Sequence, residues 1–208
     1  MKIIKPSHAI ETPLDGNYIL KHIERCGRTC YKSEHKIVPG SAEAFVAHII
    51  KRGHESVLEH FSITVRIVCD RGVSHELVRH RIASFSQEST RYCNYGKDDF
   101  DREITVIKPC VFVVDTPAYT SWVQAMSYAE TSYFSLLAWG CSPQEARTVL
   151  PNSLKTEVVI TANLREWRTI FNQRTAVDAH PQMREIMRPL LRDLRAKLPI
   201  VFDDVGVA

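Results

Sequence analysis

At 208 residues, with 44% hydrophobic and 25% charged side chains, the chain is long enough to bury a core and has the composition of an ordinary globular protein. A formal net charge of +3 is too small to mark a non-specific nucleic-acid or membrane-surface binder. The opening residues MKIIKPSHAI hold no long apolar run, and no stretch of about 18 apolar residues follows, so neither a secretory leader nor a membrane span is expected and the chain reads as cytoplasmic.

Near the start, Leu14, Ile19, Leu20, Ile23 and Cys26 recur at helical spacing, and Gly27 is placed to cap that helix. Ser41 to Arg52 fits a second helix, with Ser41 as N-cap, Phe45, Ile49 and Ile50 as its buried stripe and Gly53 as terminator. The period then drops to two: Phe61, Ile63, Val65, Ile67 and Cys69 alternate with more polar neighbours, the pattern of a strand with one buried face. Ser74 is placed to cap a short helix from 74 to 81, and Ile104 to Val114 reads as a further strand region.

Thr116 and Pro117 open a long helix ended by Gly140, and Ser142-Pro-Gln-Glu145 is a capping box with proline at the first helical position. Leu154 to Ala162 alternates as a strand, and Asn163 with Glu166 begins another capping-box helix. The last helix spans about Gln182 to Leu198, with Pro189 inside it as a kink or restart. No linker or repeat marks a boundary, so a single domain over residues 1–208 is expected. Strands do not alternate strictly with crossover helices, which favours an α+β fold. The six cysteines form no CxxC pair and no zinc-ribbon spacing; they read as reduced thiols in packing roles, and no metal site is expected.

The densest chemistry lies in RHRIASFSQESTRY, from Arg79 to Tyr92, which carries three arginines, a histidine, three serines and a glutamine. Guanidinium groups bind phosphate through paired hydrogen bonds, and hydroxyls and backbone amides at a turn complete such a cage. If residues 86 to 92 run extended, Ser89 and Arg91 share one face and Glu88 and Thr90 the other. Gln87 offers two donors and an acceptor, a match for the imide edge of uracil or an isoalloxazine ring. A plainer account is also available, since cations at a helix C-terminus complement the macrodipole. No GxGxxG or Walker A sequence occurs, so a nucleotide here is not held by a Gly-rich loop.

RHRIASFSQESTRY resembles the RHRxxSxxxxSxR signature of the flavin-dependent thymidylate synthases, the ThyX family, at every fixed position. GHESVLEH, ARTVLPNSL and NLREWRTIFNQR resemble further blocks of that family, so the likeness covers most of the chain. The resemblance implies an α+β fold with a mixed, largely antiparallel sheet packed with helices. It also implies reductive methylation of dUMP to dTMP, with methylenetetrahydrofolate as carbon donor and NADPH supplying reducing equivalents through FAD.

By the same resemblance, dUMP contacts are expected from Glu76, Arg79, Gln87, Ser89, Thr90, Arg91, Arg147 and Arg174, with Arg174 catalytic because it favours the ionised uracil. FAD contacts are expected from Ser56, Arg79, His80, Arg81, Gln87, Asn163, Arg165 and Thr169, with His54 beside the flavin and folate. Glu76 departs from the Gln that many members carry before RHR, and Thr169 from their Asn or His. A homotetramer with sites between subunits is implied, with no nucleic-acid or membrane partner.

His54 and His60 in HESVLEH do not make a zincin, because six residues put them about 240° apart around a helix. Asn163 has a sufficient role as an N-cap, and no cysteine has the basic setting of a nucleophile. Activation of uracil is therefore assigned to arginine electrostatics. Two other classes compete. An RNA-binding protein using the arginine segment as a phosphate clamp predicts steep salt dependence and stacking aromatics, whereas a structural assembly protein predicts no bound chromophore.

Overall fold

A computed structural model of the chain describes residues 1–206. In chain order its elements are β1 (Lys2–Ile4), β2 (Ser7–Ile10), α1 (Gly16–Thr29), α2 (Ser41–Lys51), β3 (Ser62–Asp70), α3 (Arg71–Leu77), β4 (Ala83–Gln87), β5 (Thr105–Ile107), α4 (Pro117–Ala138), α5 (Pro143–Ala146), β6 (Lys155–Asn163), α6 (Leu164–Arg174), α7 (Pro181–Lys197) and α8 (Pro199–Phe202). A four-stranded sheet has the order β2-β3-β6-β4, while β1 and β5 form a separate parallel pair. Partners across β3 and β6 run in opposite directions: Leu164 donates to the Phe61 carbonyl, the Thr64 and Thr161 hydroxyls meet at 2.9 Å, and Arg71 donates to the Asn152 carbonyl. The fold is therefore α+β with an antiparallel main sheet, as expected.

The chain forms two compact units from interleaved stretches. One comprises Met1–His8, Arg66–Arg79 and Phe85–Val159; the other comprises Ala9–Val65, His80–Ser84 and Ile160 onward. The first is built on Tyr95, Ile104, Val106, Trp122, Met126, Tyr133, Ala146 and Leu154. Its buried aromatics satisfy their polar ends: Trp122 Nε1 donates to Ser153 Oγ at 3.0 Å, and the Tyr133 hydroxyl accepts from the Tyr95 amide. The second packs α1 on α2 and α6 on α7. At its centre Trp167 stacks on Phe171, which meets Phe202 edge-on, and Trp167 Nε1 donates to the Ile63 carbonyl.

Several boundaries differ from the sequence expectation. Gly27 does not cap α1. It lies inside the helix, where an added Cβ would fall 2.5 Å from the Phe45 ring, so it is glycine to let α2 approach. Gly40, at φ +82, holds the N-cap position of α2; Ser41 is the first helical residue and donates to Glu24 Oε2. Its buried residues are Ala42, Val46 and Ile49, with Phe45 and Ile50 only half-buried.

Asp70, not Ser74, caps α3, accepting from the Val73 amide at 2.8 Å, so the helix begins directly at the end of β3 and stops at Leu77. The extended segment of the arginine motif ends at Gln87, and β5 is limited to three residues. The capping box at Ser142 and the Asn163 cap follow the sequence reading, whereas α7 runs through Pro189 without the restart that the proline suggested.

Candidate active site

In the first unit, the end of β4 and the turn after it collect five of the expected substrate residues. Gln87 directs Nε2 to Ser74 Oγ at 2.9 Å and to Thr156 Oγ1 at 3.1 Å, two hydroxyls from fully buried residues. Both amide hydrogens are thus engaged internally, and Oε1 is the atom left to accept from a ligand. Residues 89 to 93 are not extended. The Ser89 carbonyl accepts from the Tyr92 and Cys93 amides and its hydroxyl from the Arg91 amide, forming a turn in place of the alternating face expected from sequence.

Arg91 is oriented by its Nε bond to Gln144 Oε1 at 3.1 Å and lies over the Tyr92 ring. Arg147, exposed at the end of α5, reaches Thr90 Oγ1 at 3.5 Å. Two guanidinium groups and two hydroxyls therefore meet at one turn. Glu88 is withdrawn from that group, held by Lys155 Nζ at 2.8 Å and the Tyr95 hydroxyl at 3.0 Å. Glu76 is half-buried in the last turn of α3, and Arg79 is exposed two residues beyond that helix.

In the second unit, α6 positions a second group. Asn163 Oδ1 accepts from the Glu166 amide at 2.8 Å, so its side chain serves the helix terminus. The Glu166 side chain does not complete a capping box; it turns to His80, with Oε1 3.3 Å from Nδ1. Arg174, in the last turn of α6, donates from Nε to His80 Nε2 at 2.9 Å. His80 is buried, and burial followed by the neighbouring Arg174 charge lowers its pKa from 6.5 to about 4. Burial raises the Glu166 carboxyl.

Further along α6, Arg165 pairs with Glu59 at 2.7 Å, and Thr169 donates back to the Arg165 carbonyl. Arg168 is buried and bridges Glu55 and Asp204, which ties the 3-10 turn Glu55–His60 to α6 and flanks the exposed His54 and Ser56. His54 and Ser56 line a cavity of about 530 Å³ whose rim also carries Arg28, Lys36, His48 and Arg52. Arg81 is exposed.

Sequence reasoning missed Ser74, Thr156 and Gln144 as supports, and it missed Glu166 as a partner of His80. Only Glu166 carried a local signal, its third position in the helix, and that signal pointed to a cap.

Residues 17–200 match the family described as thymidylate synthase complementing protein. A flavin-dependent thymidylate synthase of Geobacter sulfurreducens is 35% identical over 186 residues, covering 86% of this chain and 78% of its own length. The namesake from Mycobacterium sp. (strain JLS) is 33% identical, with 98% and 86% covered. This chain belongs to the flavin-dependent thymidylate synthase family.

A crystal structure of the UMP/dUMP methylase PolB from Streptomyces cacaoi, bound with 5-Br dUMP, shares the fold with a TM-score of 0.77. It is 21% identical, with 98% of this chain and 96% of that one covered. As a flavin-dependent thymidylate synthase the chain requires FAD, and the donor chemistry fits such a group. Arg81 is exposed and, among the described residues, has no acidic side chain bonded to it, and the cavity bordered by His54 and Ser56 is also lined by Lys36 and Arg52, cations suited to a pyrophosphate, while Arg28 beside them is held by Glu24.

Proposed function

We propose that residues 1–208 act as one catalytic domain that converts dUMP to dTMP in the cytoplasm, with methylenetetrahydrofolate as carbon donor and NADPH as reductant. The gathering of Ser89, Thr90, Arg91 and Arg147 at one turn supports this reading, because two guanidinium groups beside hydroxyls suit a nucleotide 5′-phosphate. Gln87, its amide hydrogens already engaged, presents Oε1 to an N–H of the pyrimidine or the flavin. Arg174 is the catalytic residue: its fixed cation stabilises negative charge as the uracil ionises, in place of a thiolate attacking C6. None of the six cysteines has the setting of a nucleophile, and burial pushes the Cys69 thiol up to about 12.

When bound, FAD supplies the hydride. Arg79, His80, Arg81, Gln87, Ser56, Asn163, Arg165 and Thr169 would hold it, with His54 at its edge and Arg79 shared with the nucleotide. Asn163 and Arg165 would reach it from their present bonds to the Glu166 amide and Glu59. Glu76 would face dUMP beside Arg79. We place the sites between subunits of a homotetramer.

The test supplies purified protein with FAD, NADPH, methylenetetrahydrofolate and dUMP under anaerobic conditions and follows dTMP by mass spectrometry. Production of dTMP that requires FAD is the expected result; bound flavin and dUMP without dTMP would overturn it.

A further inference from the structure

The chain buries an imidazole and a carboxylate against each other at the start of α6, with relative exposures of only 6% for His80 and 7% for Glu166. Burying two ionisable groups is costly unless each is held by hydrogen bonds, so the pair calls for a physical account. The third member supplies it. A guanidinium can only donate, so the 2.9 Å contact from Arg174 Nε requires His80 Nε2 to be unprotonated. The ring proton must then sit on Nδ1, which lies 3.3 Å from Glu166 Oε1. Glu166 is itself placed by the Asn163 cap, which accepts from its backbone amide.

We propose that Glu166 and His80 form a positioning relay that selects one tautomer of the ring and thereby sets the plane and direction of the Arg174 guanidinium. The proposal rests on the reading of Arg174 as the group that faces uracil, and it gives His80 a task beyond the flavin contact expected from its motif. The chain of dependence runs through three side chains. Glu166 accepts from Nδ1–H; Nε2 thereby keeps its lone pair; that lone pair accepts from Arg174 Nε–H. A ring carrying its proton on Nε2, or a cationic ring, would direct N–H toward the Arg174 N–H and drive the guanidinium aside. Glu166 and His80 are positioning residues, because neither needs to touch the reacting atoms.

The tautomer is read directly from ¹⁵N spectra of the histidine-labelled full-length protein at pH 7, and its effect from dTMP kinetics. His80 is expected to show a protonated Nδ1 and an unprotonated Nε2, with the Nε2 resonance shifting in Arg174→Ala. Glu166→Ala is expected to lose that tautomer and to lower kcat on the order of a hundredfold, the effect of displacing a catalytic group by about 1 Å. Glu166→Gln, whose amide oxygen still accepts from Nδ1–H, is expected to recover most of the rate.

A wild-type ring protonated on Nε2 or doubly protonated would overturn the relay, as would a Glu166→Ala protein that keeps both tautomer and kcat. Should that variant not fold, the wild-type and Arg174→Ala spectra decide alone. Absence of dTMP from the wild type removes the functional reading, while the spectra still decide whether the relay exists.

Discussion

Gln87 shows how a single side chain can be placed by groups far from it in sequence. Ser74 and Thr156 receive its two amide hydrogens, and Ser74 passes its own hydrogen to the Arg71 carbonyl. Gln87→Leu would leave these buried acceptors unmatched and should destabilise the protein by about 1–3 kcal/mol in urea unfolding. His80 makes a prediction about pH. Its folded pKa is depressed from 6.5 to about 4, so the unfolded chain takes up a proton there that the folded chain refuses. Its contribution to stability is present above about 6.5 and is lost as pH falls through about 4. Glu166, raised by burial, contributes the opposite slope. The histidine's part is the difference between wild type and His80→Gln, which should show the shallower fall in melting temperature between pH 6.5 and 4. The arginines of this site were legible in the sequence because their type and spacing name a ligand chemistry. The His80–Arg174 bond was not, because it joins residues 94 apart.

At the scale of elements, hydrophobic period placed the helices and strands, while their ends were decided by competition between neighbouring caps. Asp70 and Ser74 can each cap a helix. The Asp70 carboxylate is the stronger acceptor and lies at the end of β3, so α3 begins three residues before the position Ser74 would have dictated. The helix stops at Leu77, which leaves Arg79 exposed two residues beyond it. The reading of Gly27 failed for a different reason. Glycine before a polar stretch resembles a terminator, but its true constraint is the Phe45 ring and Val57 Cγ1, supplied by other parts of the chain. Gly27→Ala should therefore destabilise by about 1–3 kcal/mol through overpacking, despite the higher helix propensity of alanine. A denaturant midpoint that rises in this variant would contradict the close-packing account.

Across the whole molecule, five of the eight expected nucleotide residues gather at one turn in the first unit, Glu76 and Arg79 lie at the end of α3 in the same unit, and Arg174 with its supports lies in the second. The proposed homotetramer with shared sites makes a complementation prediction. Arg79→Ala and Arg174→Ala, each inactive alone, should recover partial activity when unfolded and reassembled together, because some sites then contain neither lesion. No recovery in any mixture would count against sharing. Periodicity along the chain could not reveal the interleaved units, since each is assembled from stretches whose contacts are set by tertiary packing.

The main sheet sets β3 beside β6, and Trp167 donates to a carbonyl 104 residues earlier. On a ribosome adding about 5–20 residues per second, β3 emerges some 5–20 s before this partner exists. During that interval the nascent chain carries an apolar strand with an open edge, the kind of surface that chaperones shield and that invites pairing between neighbouring chains. Slowing translation between residues 70 and 155 should therefore lower soluble yield, whereas the same delay after residue 175 should not.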